Sequence, residues 1–206
     1  TRVRSGERRL GWLEARQFAG VYYGSSPLEA QLCAGAKTVV VGAGNSAGQG
    51  AMFLSETAEE VHVLYRRPEI RETMSEYLVR RLEEAGNVFL HPQTEISRLV
   101  PDASGAQLAS VELSGPDGAA SLDAPFVFLF IGAAPRTRWL PAELACDERG
   151  FVLTGPAISQ LQLVKARWME DRMPSAYETS LPRVYAVGDV RAGSVKRVAS
   201  SVGEGS

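Results

Sequence analysis

The sequence predicts an α/β fold built on a Rossmann-like βαβ unit, with a β-meander after it. Three observations lead there. Thr38 to Val41 is an unbroken run of β-favouring residues, as expected of a strand buried on both faces. Gly42-Ala-Gly44-Asn-Ser-Ala47 follows directly and fits G-x-G-x-x-A. Ala47, Gly50, Ala51 and Leu54 then recur at helical spacing as one small apolar face, before a further strand at Val61 to Leu64. Strand, glycine turn, helix and strand fall within about 30 residues, the span of a βαβ unit.

The other elements follow in order. A short helix is expected around Pro27 to Cys33, with Gly35 as its C-cap. Thr73-Met-Ser-Glu76 matches a capping box and predicts a helix beginning near Thr73, with Met74, Leu78, Leu82 and Ala85 on one face and Gly86 as its stop. Val88 to Leu90 reads as a short strand. Glu95 to Val100, Leu108 to Leu113 and Ala119 to Leu122 read as a β-meander, broken by Pro101-Asp102 and Pro116-Asp-Gly118 turns. Phe126 to Ile131 is an apolar strand ending at Gly132, where a domain change is placed. Loops carrying Pro, Arg and Trp come next, then a predicted strand at Val184 to Val187 and the pair Gly188-Asp189.

Composition narrows the class. The chain has 206 residues, 45% hydrophobic and 22% charged, with a net charge of -2. That balance is ordinary for a globular protein and gives no bulk attraction to nucleic acid or an anionic membrane. The longest apolar run, Phe126 to Ile131, is far shorter than the roughly 20 residues of a membrane helix. Cys33 and Cys146 are too far apart for a disulfide framework or a metal-site spacing, so no metal is expected and a reducing cytoplasm is the expected location. His62 and His91 read as isolated structural or surface residues, without a carboxylate or cysteine at ligand spacing, and Trp139 and Trp168 read as packing residues. The chain opens on Thr1, and Val198 to Ser206 reads as a small-residue helix with no stop signal, so both ends read as cut.

The glycine turn carries the chemistry. Gly42 permits the tight turn, Gly44 lets the backbone approach a pyrophosphate, and Ala47 keeps the helix close to the strand, its N-terminus facing the negative charge. The end of the next strand selects the nucleotide. NAD sites place a carboxylate there for the ribose 2′-hydroxyl. This chain has Tyr65-Arg66-Arg67, with Arg71 a turn further on. Three guanidiniums there would repel nothing and could grip a 2′-phosphate through charge-assisted bonds, which favours NADPH over a solvated basic surface cluster.

Four segments in order, Val41-Gly-Ala-Gly-Asn-Ser-Ala47, Tyr65-Arg-Arg67 with Arg71, Ile131-Gly-Ala-Ala-Pro-Arg-Thr137 and Val187-Gly-Asp-Val190, make the chain resemble the thioredoxin reductases over nearly its whole length. The resemblance implies that Gly42, Gly44, Asn45, Ser46 and Ala47 hold the NADPH pyrophosphate and neighbouring ribose, and that Arg66, Arg67 and Arg71 hold the 2′-phosphate. Gly132 would lie in the crossover to a second, FAD-binding Rossmann-like domain. Gly188 and Asp189 would meet the ribityl and pyrophosphate region of FAD, and Lys196, Arg197 and Val198 would approach the isoalloxazine ring. Residues 1–20 would then be the tail of the FAD domain and the crossover, 21–131 the NADPH-binding domain, and 132–206 the C-terminal segment of the FAD domain. The family's N-terminal FAD-binding G-x-G-x-x-G has no counterpart here.

One departure bears on activity. The family's redox-active Cys-x-x-Cys comes shortly before the NADPH glycine turn, where this chain has Gly20-Val-Tyr-Tyr-Gly-Ser-Ser-Pro27. Gly24 and Pro27 take roughly the cysteine positions, and neither can be a thiolate nucleophile. The stretch is similar to a dithiol-free branch that includes ferredoxin–NADP reductases of this fold. The implied activity is hydride transfer from NADPH to FAD and on to an acceptor, with no acid, base or nucleophile assigned to the chain. Thioredoxin, ferredoxin or a quinone-like molecule are the acceptors left open, and a homodimer is compatible with the resemblance. A non-enzymatic NADPH-sensing module of a regulatory fusion is the alternative of another class.

Overall fold

Strands apolar on both sides form the centre of the first of two units in a computed structural model that describes residues 19–132, 134–195 and 198–206. The units divide between Ile131 and Gly132. In the first, β1 (Val21–Tyr22), β2 (Lys37–Val41), β3 (Glu60–Tyr65), β4 (Val88–Pro92) and β8 (Phe126–Leu129) make a parallel sheet in the order β1-β8-β2-β3-β4. Helices α1 (Pro27–Leu32), α2 (Asn45–Ser55) and α3 (Glu76–Glu84) belong to the same unit. A separate antiparallel sheet is formed by β5 (Glu95–Pro101), β6 (Leu108–Gly115) and β7 (Gly118–Leu122), in that order. The expected βαβ unit and meander are both present.

The two faces of the parallel sheet are covered differently. Val40 of β2, Val61, Val63 and Tyr65 of β3 and Phe128 of β8 pack with Ala47, Ala51, Leu54, Leu78 and Leu82 of the helices. Val39, Leu64, Val127 and Leu129, which alternate with them, pack instead with Ile96, Leu108, Val111 and Leu113 of the antiparallel sheet. Helices on one side and a second sheet on the other explain why the strands read as continuous apolar runs.

Helix α2 lies close to the sheet because its inner face is small. A Cβ on Gly50 would stand 2.5 Å from Cζ of Phe130, and one on Gly48 would stand 2.7 Å from Sδ of Met74. A packed aromatic ring cannot yield as a thioether tail can.

The structure differs from the sequence expectation at several points. The two-residue β1 was not anticipated; it pairs Val21 with Val127 and Tyr22 with Phe128, and the Tyr22 and Phe128 rings stack at 5.1 Å. The capping box at Thr73 does not form. A 3-10 turn spans Ile70–Glu72 and α3 starts from Ser75, because the Thr73 hydroxyl donates to the Ala43 carbonyl at 2.7 Å instead of capping a helix.

The histidines are not isolated either. His62 Nδ1 lies 3.0 Å from His91 Nε2, and His62 Nε2 lies 2.9 Å from Glu60 Oε2, which also holds Lys37 at 2.9 Å. Glu60 and His62 share a strand face, and β4 brings His91 alongside. With His62 donating to Glu60, its Nδ1 must accept from His91 N–H while both rings are neutral. Burial and the neighbouring His62 lower the His91 pKa.

The second unit is loop-rich, with α4 (Gln160–Lys165) and α5 (Val198–Gly205). Ser159 caps α4, its hydroxyl accepting from the Gln162 N–H at 3.3 Å. Leu144, Val152 and Ala186 form its core with Leu140, Leu181 and Val190 around them. Glu178, fully buried, accepts from both Nη atoms of Arg172 and from the N–H groups of Ser175 and Arg183, which hold its carboxyl well below the usual range. The strand expected at Val184 to Val187 is reduced to one bridge between Glu178 and Tyr185. Ala186 is buried, but Val184, Tyr185 and Val187 are exposed, and two backbone bonds flank the bridge, the Thr179 N–H donating to the Val184 carbonyl at 2.8 Å and the Ala186 N–H to the Tyr177 carbonyl at 2.9 Å.

Gly50→Ala should lower stability by about 1 kcal/mol, the overpacking outweighing the gain in helix propensity, while Gly48→Ala should be nearly neutral. Thermal unfolding of the two variants checks this, and equal shifts would refute the packing assignment. The sign for His91 follows from its lowered folded pKa: its contribution is complete above the ordinary histidine value of 6.5 and is lost as pH falls through the folded pKa. Denaturant titrations should therefore show stability falling below pH 6.5, with a shallower fall in His91→Gln.

Candidate functional site

Parallel pairing brings the sequence-distant candidates to one edge. Val41 pairs with Leu64 on one side and Leu129 on the other, so β2, β3 and β8 all end at the same level. Gly42 leaves β2 there, and its N–H donates to the Leu64 carbonyl at 3.0 Å. Arg66 and Arg67 leave β3 at the same edge. The chain continues from β2 towards β3 and β4, whereas β8 and β1 lie on its other side. The carboxyl end of β2 is thus the topological switch point, where open α/β sheets receive ligands.

The two glycines of the turn have different reasons to be glycine. Gly42 has φ +149°, and a Cβ there would meet the Phe130 carbonyl oxygen at 2.7 Å. The fold itself demands it. Gly44 is the N-cap of α2, with φ −92° and ψ 172°, and among the described residues no atom lies within 4 Å of a Cβ placed on it. Among the described residues nothing requires glycine at that position.

Asn45, Ser46 and Ala47 form the first turn of α2, whose N–H groups have no carbonyl within the helix to bond to, and the turn contains no acidic residue. Ser46 is exposed, Ala47 is buried against the sheet, and Asn45 accepts the Ser75 N–H on Oδ1 at 2.7 Å. Thr73 on Ala43 and Ser75 on Asn45 together tie the arginine-bearing segment to the glycine turn. The pattern Thr-x-x-Glu disguised this contact as a helix cap.

The arginines are less bare than the sequence suggested. All three are exposed, but each faces a carboxylate. Arg66 Nε is 3.9 Å from Glu95, a long contact. Arg67 pairs with Glu72. Arg71 Nη2 reaches both oxygens of Glu83, at 2.9 and 2.8 Å, and its Nε reaches Glu76 at 3.1 Å.

In the second unit, Gly188 and Asp189 open a 3-10 turn ending at Val190. The Gly188 N–H donates to Glu204 Oε2 at 2.7 Å, and the Arg191 guanidinium binds the same carboxylate, fastening the turn to α5. Asp189 is exposed. Gly132 is exposed with φ +89°, and Val198 opens α5. Lys196, Arg197 and residues 1–18 lie outside the described residues. Among the described residues no group of His, Cys, Asp or Glu could hold a metal, and no helix is long and apolar enough to cross a membrane. Cys33 is fully buried, and burial pushes its thiol up to about 11.

Comparison with known proteins agrees with this architecture. Residues 17–205 match the family described as pyridine nucleotide-disulphide oxidoreductase. The thioredoxin reductase of Escherichia coli O157:H7 is 30% identical over 175 residues, covering 82% of this chain and 49% of that protein. The chain spans about half the length of such curated relatives. The crystal structure of T. acidophilum thioredoxin reductase superposes with a TM-score of 0.71 at 24% identity, covering 90% of this chain and 54% of that one. For Lactococcus lactis thioredoxin reductase the TM-score is 0.74 at 20% identity, covering 100% and 59%. At these identities the two structures show a shared fold.

The different demands on the two glycines are testable without any ligand. Gly42→Ala should destabilise by about 1–3 kcal/mol through the clash with Phe130. Gly44→Ser should be neutral or slightly stabilising, since serine is a good N-cap. A large drop in melting temperature for Gly44→Ser would show that the fold does need that glycine.

Proposed function

Because this chain belongs to the pyridine nucleotide-disulphide oxidoreductase family, with thioredoxin reductases among its relatives, we propose that its first unit is an NADPH-binding domain and that its second contributes to an FAD site. The thioredoxin reductases of this family use FAD and NADPH. In this reading the protein positions NADPH so that a hydride could pass to FAD, whose two electrons would then go to an acceptor, the cofactors supplying the chemistry and the chain supplying binding and orientation.

The observation that carries the proposal is Gly44. A glycine that no described residue requires, at the N-cap of a helix and at the switch point of the sheet, is accounted for by the close approach of the protein backbone to a ligand. The residues fit a pyrophosphate there: Gly42, Gly44, Asn45, Ser46 and Ala47 offer a turn and a helix terminus free of acidic side chains. Arg66 and Arg67 at the end of β3, with Arg71 on the 3-10 turn that follows, supply the cations for a 2′-phosphate in place of the carboxylate that an NAD site would carry. Gly132, Gly188, Asp189, Lys196, Arg197 and Val198 are assigned to the crossover and the flavin side from the family pattern.

The acceptor is reached without an internal dithiol. Gly24 and Pro27 stand near the family's cysteine positions, and buried Cys33 remains a thiol at neutral pH. Thioredoxin is the acceptor suggested by the relatives' name; ferredoxin or a quinone-like molecule fits the missing dithiol. A cytoplasmic location and a homodimer are part of the same proposal.

Titrating the chain with NADPH and NADH tests the reading. NADPH should bind more tightly, and Arg66→Ala should cost NADPH about 10- to 100-fold while leaving NADH unchanged, the loss of a charge-assisted pair. Gly44→Ser should abolish binding of both nucleotides in a protein that still folds. Equal affinities for the two nucleotides in the unaltered chain would refute the assignment.

A further inference from the structure

We propose that Glu83 is a specificity-determining residue that competes with the nucleotide's 2′-phosphate for Arg71, and so lowers affinity for NADPH without affecting NADH. This rests on reading the turn and arginines as an NADPH site. Arg71 sits on the 3-10 turn Ile70–Glu72, two residues before Thr73, whose hydroxyl is fixed on Ala43 of the glycine turn. The Arg71 main chain is thereby tethered beside the pyrophosphate position. Its side chain, however, is drawn onto the exposed face of α3. Glu83 takes Nη2 on both oxygens, at 2.9 and 2.8 Å, and Glu76 takes Nε at 3.1 Å.

The two carboxylates are not equivalent. Glu76 also holds Nε of Arg80 at 3.1 Å and keeps a cation when Arg71 departs. Arg71 is the cation that Glu83 holds among the described residues. The pull on Arg71 is therefore set mainly by Glu83.

Magnitudes favour exchange over a permanent pair. The Arg71 and Glu83 side chains are 45% and 43% exposed. Exposed ion pairs of this kind hold their partners by no more than a factor of about five. A phosphate monoester carries about -1.5 to -2 charge at neutral pH, against a single charge on Glu83. Arg71 thus lies on Glu83 in the free protein and transfers to the phosphate when NADPH binds. NADH presents no such phosphate and leaves the pair intact, so the carboxylate weakens binding of the phosphorylated nucleotide alone.

The test is a mutant cycle on the 206-residue chain, titrated with NADPH and NADH. Glu83→Gln should tighten NADPH binding about 2- to 5-fold, the strength of the exposed pair it removes, and leave NADH unchanged. Arg71→Ala should weaken NADPH, and adding Glu83→Gln to Arg71→Ala should have no effect. The proposal is overturned if Glu83→Gln leaves NADPH unchanged or weakens it. It is also overturned if NADH tightens equally, or if the gain persists without Arg71, which would mark a general charge effect. An unaltered chain with no preference for NADPH would bring down the nucleotide assignment as well. A preference for NADPH with Glu83→Gln inert would bring down this inference alone.

Discussion

The in-register parallel pairing of β2 with β3 and β8 is the constraint on which the candidate site depends. Val41 opposite Leu64 and Leu129 fixes where three strands stop. A parallel sheet puts the carboxyl ends of its strands at one edge, so a glycine turn and an arginine pair distant in sequence become neighbours. Slipping β3 by one residue would exchange its two faces, moving Val61, Val63 and Tyr65 out of the helix-side core. Apolar packing on both faces therefore holds the geometry of an otherwise polar, exposed site.

Much of this was legible in the residues. The β2 strand, the glycine turn, the small face of α2 and the three meander strands each carry a local signal, a run, a motif or a spacing, and each formed. What could not be read was decided by partners far along the chain. Thr73 matched a helix cap, but its hydroxyl serves Ala43, thirty residues earlier. His62 and His91 looked solitary because their pairing depends on β3 lying against β4. Val184 to Val187 has strand-like composition, yet three of its four side chains are exposed and only a single bridge results. Two-residue β1 exists because β8 offers it an edge.

The site also shows how charge and shape divide the labour. Gly42 serves the fold and Gly44 is unclaimed by it, a distinction that the motif alone cannot make. The arginines likewise cannot be read as a bare count of cations, because Glu72, Glu76, Glu83 and Glu95 stand among them. The local field is that of interleaved opposite charges on a surface, sensitive to salt and easily rearranged.

The order of strands has a consequence for how such a chain is made. β8 sits between β1 and β2, yet it leaves the ribosome after every other strand of both sheets. Until it arrives, β1 has no partner in the sheet, and the edge of β2 that bears Val39 and Val41 stays unpaired. Closing that gap joins segments far apart in sequence, the slow kind of step in folding. The nascent chain therefore passes through a stage with an open apolar strand edge beside the glycine turn, a natural place for a chaperone to engage or for misassociation to begin.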